Sequence, residues 1–199
     1  MKIRSVSDIH FEFGGFDLPI LPTDHETVLV IPGDLGVVES KSCMADYTIP
    51  FLTSCSNRFR AVILVVGNHE HYNGSLFRTV SKMKDAIKAA ELTNVHVLEN
   101  ETHLLDDVAF IGATLWTNCD NFSPYADVYW HSMTDSRRIR TGPNMMLPYQ
   151  RKLAVRDMWR KWIESKDYIL KEIEENKKAG RKVVVVTHHA PSNMSVHPS

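Results

Sequence analysis

Three short apolar runs and one alternating segment, each closed by polar residues that can bind metal, constrain this chain more than any other feature. Lys2 to Val6 leads into Asp8-Ile9-His10, and Thr27 to Ile31 ends at Pro32-Gly33-Asp34. Ala61 to Val66 ends at Gly67-Asn68-His69-Glu70, and Lys182 to Val186 ends at Thr187-His188-His189-Ala190-Pro191. Branched runs this short and continuous predict strands buried on both faces. Val95 to Leu98, His103 to Leu105 and Val108 to Ile111 read as further short strands, some of them antiparallel.

Helical patterns separate these runs. Leu76, Val80, Met83, Ile87 and Ala90 recur at steps of four and three, which gives one apolar face. Val155, Trp159, Trp162, Ile163, Ile169 and Ile173 repeat that spacing over a longer helix, which Lys177-Lys178-Ala179-Gly180 closes with a basic last turn and a glycine terminator. A shorter helix is expected within residues 40–57, with Pro50 breaking or beginning it. Strands alternating with helices give an α/β layer architecture, in which sites form on loops beyond the carboxyl ends of strands. Residues 112–150 depart from this pattern, being aromatic, polar and proline-bearing with no stable period. An excursion of that length is expected to be a functional loop or cap.

Composition narrows the function classes. The 199 residues suit one large domain, and a formal net charge of −1 disfavours a dedicated nucleic-acid-binding module. Three cysteines, Cys43, Cys55 and Cys119, are too few and too irregular for a disulfide framework or a zinc finger. The start at Met1 carries no secretory apolar region, and no run reaches membrane-spanning length. A reduced, cytoplasmic setting without a membrane partner is the expectation. No G-x-S-x-G elbow and no GxxxxGK[ST] loop is present.

Asp, His, Asp, Asn and His at strand ends are the oxygen and imidazole donors that suit first-row divalent metals. Taken singly, each group has an ordinary explanation: a short Asp-x-His arises by chance, and Gly-Asp is a turn signal. One histidine of the late pair would also fit a core position. In order, each at the end of a strand, they form one constellation. A carboxylate between two metals about 3.5–4 Å apart supports in-line attack on phosphorus.

These blocks, Asp8-x-His10, Gly33-Asp34, Gly67-Asn68-His69-Glu70 and Thr187-His188-His189-Ala190-Pro191, resemble the calcineurin-like metallophosphoesterase superfamily. Ile111 to Thr117 and Asp135 to Ile139 resemble stretches of its small bacterial and phage-type members more weakly. The resemblance implies one domain over residues 1–199 with the loop or cap at about 112–150, folded as a four-layer α/β/β/α sandwich. It implies two divalent ions, manganese first, with iron, zinc, nickel or magnesium as alternatives. Asp8 and His10 would bind one ion, Asp34 would bridge, and Asn68 would bind the other, joined by His189 with His188 as the fallback. His69 would be the general acid or a phosphate-orienting group, and Glu70 would orient its neighbours. The implied reaction is hydrolysis of a phosphate monoester or diester by a hydroxide bridging the ions on Asp34. The substrate would be a phosphorylated small molecule or nucleotide-like compound.

In the excursion, Trp116, Tyr125, Tyr129, Trp130, Arg137, Arg138 and Arg140 either line the substrate side or simply pack and solvate the segment; Arg137, Arg138 and Trp116 are the candidate substrate contacts. Two departures from the family pattern stand out. Gly33-Asp34-Leu35-Gly36-Val37-Val38 differs from the Gly-Asp-x-x-Asp-Arg-Gly of the protein serine/threonine phosphatases, which argues against that branch. The family's Gly-His-x-His block is absent, and His197 is not that motif. The expectation is an incomplete second sheet at the C-terminus, with self-association or a partner chain covering its open edge. A truncated piece, a split protein and a degenerate member all fit that absence. A nuclease is the alternative activity, and a non-catalytic scaffold or inactive fragment is the alternative class.

Overall fold

The computed structural model describes residues 1–141 and 151–195. Four parallel strands, β1 (Lys2–Ser5), β2 (Thr27–Pro32), β3 (Ala61–Val65) and β4 (Val95–Leu98), form one sheet in the order β1-β2-β3-β4. Three more, β5 (Glu101–Leu105), β6 (Val108–Ala113) and β9 (Lys182–Thr187), form a second sheet in the order β5-β6-β9, with β5 antiparallel to β6 and β9 parallel to it. The helices are α1 (Ile49–Arg58), α2 (Thr79–Ala89), α3 (Cys119–Phe122), α4 (Ala126–Ser132), α5 (Asp135–Arg138) and α6 (Val155–Lys178).

The period-2 alternation of the strands sorts the core into layers. Leu29, Ile31, Val62 and Leu64 pack with Leu52 of α1 and with Met83 and Ile87 of α2. Their neighbours Val28, Val30, Ala61 and Ile63 point the other way, onto Phe110 and Val186 of the second sheet. Ile111 and Ala113 on the far side of that sheet meet Ile169, Trp162 and Ile173 of α6. The result is the expected α/β/β/α sandwich. β2 and β3 are buried on both faces, as their continuous runs suggest, but β9, with a run as apolar, is mostly half-buried, and the alternating β1 is largely exposed. Each of those two pairs with a single neighbour among the described residues, so an apolar run need not be a central strand.

Helix boundaries follow local chemistry. Pro50 stands in the first turn of α1, which follows directly on a π-helical turn over Cys43–Thr48, where the Ile49 N–H bonds back to Met44 O. Gly180, at φ 74°, ends α6 in the left-handed region, and the Arg181 N–H reaches Asn176 O at 3.0 Å. Leu76, in register with the face of α2, lies before that helix and is buried with Trp116, Trp130, Ile139 and Leu153. The excursion therefore packs into a core that it shares with Val37, Tyr72, Val155 and Met158 of the domain body. It contains α3, α4, α5 and β7 (Arg140–Thr141), which pairs antiparallel with β8 (Arg151–Lys152) just beyond it. Residues 142–150 of the expected cap, and His197, lie outside the described residues.

Candidate metal centre

The carboxyl ends of β1, β2, β3 and β9 open on the same edge of the sandwich, and the polar clusters meet there. Asp8, His10 and Asp34 all take left-handed backbone conformations, at φ 56°, 54° and 53°. Such conformations cost about 1 kcal/mol or more for residues other than glycine, and they persist where surrounding bonds over-determine them. Here the Asp8 N–H donates to Gly33 O (3.2 Å), the His10 N–H to Asp34 O (3.0 Å) and the Phe11 N–H to Leu35 O (3.0 Å). Glu70 adds a second clamp. Fully buried, it accepts N–H groups from Gly67 (2.6 Å), Leu35 (2.6 Å), Asp34 (3.1 Å) and Gly36 (3.3 Å). Burial, aided by the nearby Asp34 charge, pushes its carboxyl up to about 7.

Glycines make the close approach feasible. A Cβ on Gly67 would run into Asp34 Oδ1 and stand 2.8 Å from His188 Cε1, and one on Gly33 would stand 2.6 Å from His188 Nδ1.

Asp34 lies at the centre. Its Oδ2 faces His10 Nε2 at 3.7 Å and its Oδ1 faces His188 Nε2 at 3.6 Å, while the His69 N–H donates to Oδ1 at 2.9 Å. Donor atoms of Asp8, Asp34 and His188 all fall within 4.8 Å of one another, and so do those of His10, Glu12 and His69.

The tautomers decide what this arrangement can hold. His188 Nδ1 lies 2.8 Å from Pro32 O, which only accepts, so Nδ1 carries the proton and a neutral ring turns the Nε2 lone pair inward. Asn68 donates Nδ2 to Asp135 Oδ1 at 2.7 Å, so its Oδ1 is the atom 3.0 Å from His188 Nε2. Asn68 Oδ1 and, in the Nδ1–H tautomer, the His188 Nε2 lone pair thus converge beside a carboxylate. On the other side, Glu12 Oε1 takes the Nδ1 protons of His10 (3.2 Å) and His69 (2.5 Å), leaving His10 Nε2 directed at Asp34. Converging lone pairs of oxygen and imidazole nitrogen fit divalent cations, which such donors approach to about 2.0–2.2 Å. The backbone carbonyl and carboxylate behind the rings are the partners that metal-binding histidines usually have.

The structure brings Asp8, His10, Asp34, Asn68 and His69 together, and His188 with them. His189, the preferred member of the pair, turns away: its N–H and Nδ1 lie 3.1 and 3.3 Å from Thr114 O, and its ring stacks on Trp116 at 5.5 Å. Burial pushes its imidazole below the usual range. Trp116 is only 3% exposed, so it packs the core and presents no face to a substrate. Arg138 is exposed and sits 5.7 Å over the Tyr72 ring, which stacks on His69 at 4.1 Å. Arg137 instead lines a separate pocket with Asp127, His131 and Lys152. Glu12 and Asp135 escaped the sequence reading as site residues, although both lie inside or beside the quoted motifs.

The comparisons give the family and the fold. The family model of the calcineurin-like phosphoesterases matches residues 1–199, and the chain belongs to that family of metal-dependent phosphoesterases. An uncharacterized protein of Acanthamoeba polyphaga mimivirus is 30% identical over 204 residues, covering 95% of this chain and 68% of the relative. The crystal structure of a phosphopantetheinyl hydrolase from Mycobacterium tuberculosis superposes with a TM-score of 0.63 at 14% identity, covering 95% of this chain and 68% of that one; at that identity it speaks for the fold. No helix among the described residues is long and apolar enough to cross a membrane.

Proposed function

We propose that the chain hydrolyses a phosphate monoester or diester of a small, nucleotide-like molecule at a two-ion site. Asp8, His10 and Asp34 would hold one ion, and Asp34, Asn68 and His188 the other, with manganese the first candidate. The observation that carries the reading is Asp34, whose two oxygens face separate imidazoles at 3.7 and 3.6 Å. When bound, divalent ions lower the pKa of a water and offset phosphoryl charge.

The protein's own part is positional. His69, its Nδ1–H held by the Glu12 carboxylate, leaves Nε2 for the substrate, where the doubly protonated ring would pass the Nε2 proton to a departing alkoxide and become neutral. Arg138, on the rim beside Tyr72, is placed to attract phosphate oxygens. On this reading residues 1–199 act as one domain, with the segment around 112–150 as its cap. The net charge of −1 favours a small substrate over nucleic acid.

The test is turnover of bis-p-nitrophenyl phosphate with added manganese, comparing the chain with His69→Ala. Activity that needs both metal and His69 supports the reading. A folded protein that binds manganese and turns over neither this diester nor p-nitrophenyl phosphate would sink it.

A further inference from the structure

Phe13 sits at the mouth of the site in a position that packing does not explain. It is 80% exposed, although a phenylalanine buried in a core or interface removes about 150–250 Å² from water. Its ring centroid lies 5.8 Å from that of His10 and 6.5 Å from that of His69, which it meets edge-on at 66°. The segment that presents it is fixed. The Phe13 N–H closes a turn onto His10 O at 2.8 Å, the His10 and Phe11 N–H groups are held by Asp34 O and Leu35 O, and the Phe11 side chain is buried against Phe51. A large apolar ring is thus held out in water by the same turn that places a metal-ligand candidate.

We propose that Phe13 is a stacking platform that selects phosphoesters whose leaving group carries a planar base or aryl ring. This rests on the hydrolytic reading of the site. His69 marks the side from which the ester oxygen departs, and Tyr72 is stacked on the His69 ring. Phe13 therefore supplies a free aromatic face on the departing side. A phenyl ring has no donor or acceptor, so it contributes only shape and a π-face, and stacking on it is tolerant of which base is offered. Truncating such a platform commonly weakens binding by about five- to a hundredfold per base.

The test compares adenosine 5′-monophosphate with ribose 5-phosphate, which share the phosphate and sugar and differ in the base. Binding of each is measured calorimetrically with manganese present, for the wild type, Phe13→Ala and Phe13→Trp. The wild type is expected to favour the nucleotide by about tenfold. Phe13→Ala should bring the two ligands within about twofold, and Phe13→Trp should keep the preference. A wild type with no preference, including one that binds neither ligand, overturns the proposal, as does a preference that survives Phe13→Ala. Binding is read apart from turnover, so a protein that prefers the nucleotide yet hydrolyses no phosphoester would fail the function proposed above and not this one.

Discussion

Glu12 Oε1 lies 2.5 Å from Nδ1 of His69, a residue 57 positions away in the chain. Burial alone would push the Glu12 carboxyl up, but the hydrogen bonds from His69 and His10 outweigh it and hold the group below the usual range. Glu12 is therefore an anion that fixes the tautomer of His69. Glu12→Gln should lower kcat on bis-p-nitrophenyl phosphate about tenfold to a hundredfold at saturating manganese. A kcat within twofold of wild type would make the contact merely structural.

The late histidine pair makes a sharper test. His188→Ala should lose about one equivalent of manganese after dialysis, because it removes the lone pair facing Asn68 and Asp34. His189→Ala should retain that metal and melt earlier, having lost its stack on Trp116. Elemental analysis and a melting curve on both variants decide it, and the reverse pattern would reassign the ligand.

The difficulty of choosing between these histidines has a physical origin. Side chains alternate along β9, so Val184 and Val186 face the inter-sheet core and Val183 faces α6. His188 shares the parity of the first pair and therefore turns toward the β2 and β3 loops. Four consecutive valines hide that parity, because every position is equally apolar. The strand ends themselves were legible, since continuous runs meeting Asp, Asn and His leave few alternatives. Glu12 and Asp135 were not, because each acts through a contact, 57 and 67 residues distant, that only the fold creates. Trp116 looked available for a substrate because sequence cannot show that the excursion closes a core over it.

Asp135 orients the Asn68 amide so that oxygen, not nitrogen, faces the centre. Asp135→Ala frees that amide to rotate. Manganese affinity should fall about tenfold to a hundredfold while the fold is kept. Unchanged affinity in a metal titration would show that Asn68 needs no such guide.

Stability should depend on pH through His96 and His103, whose rings stack at 3.6 Å between β4 and β5. Burial, with repulsion from His103, pushes His96 down to about 4 from its ordinary 6.5. Between those values the unfolded chain binds more protons than the folded one, so stability rises with pH there and is lost on acidification. His96→Phe keeps the stack and removes the titration. Melting temperature followed from pH 7 to pH 4 should fall less steeply for this variant than for wild type; parallel curves would refute the assignment.

Three of the four ligand-bearing loops follow strands of the first sheet, and the fourth follows β9 of the second. On the proposed reading, the distance between the sheets would therefore also be a coordination distance. A sheet gap near 10 Å is set by core side chains, whereas metal–donor lengths tolerate only about 0.2 Å. Phe110, fully buried where the sheets meet, would in effect be a spacer for the ions. Phe110→Leu should weaken manganese binding in a titration by more than its modest loss of thermal stability suggests. Core substitutions in this fold would then tune the metal centre from a distance, much as a shim sets the gap of a bearing.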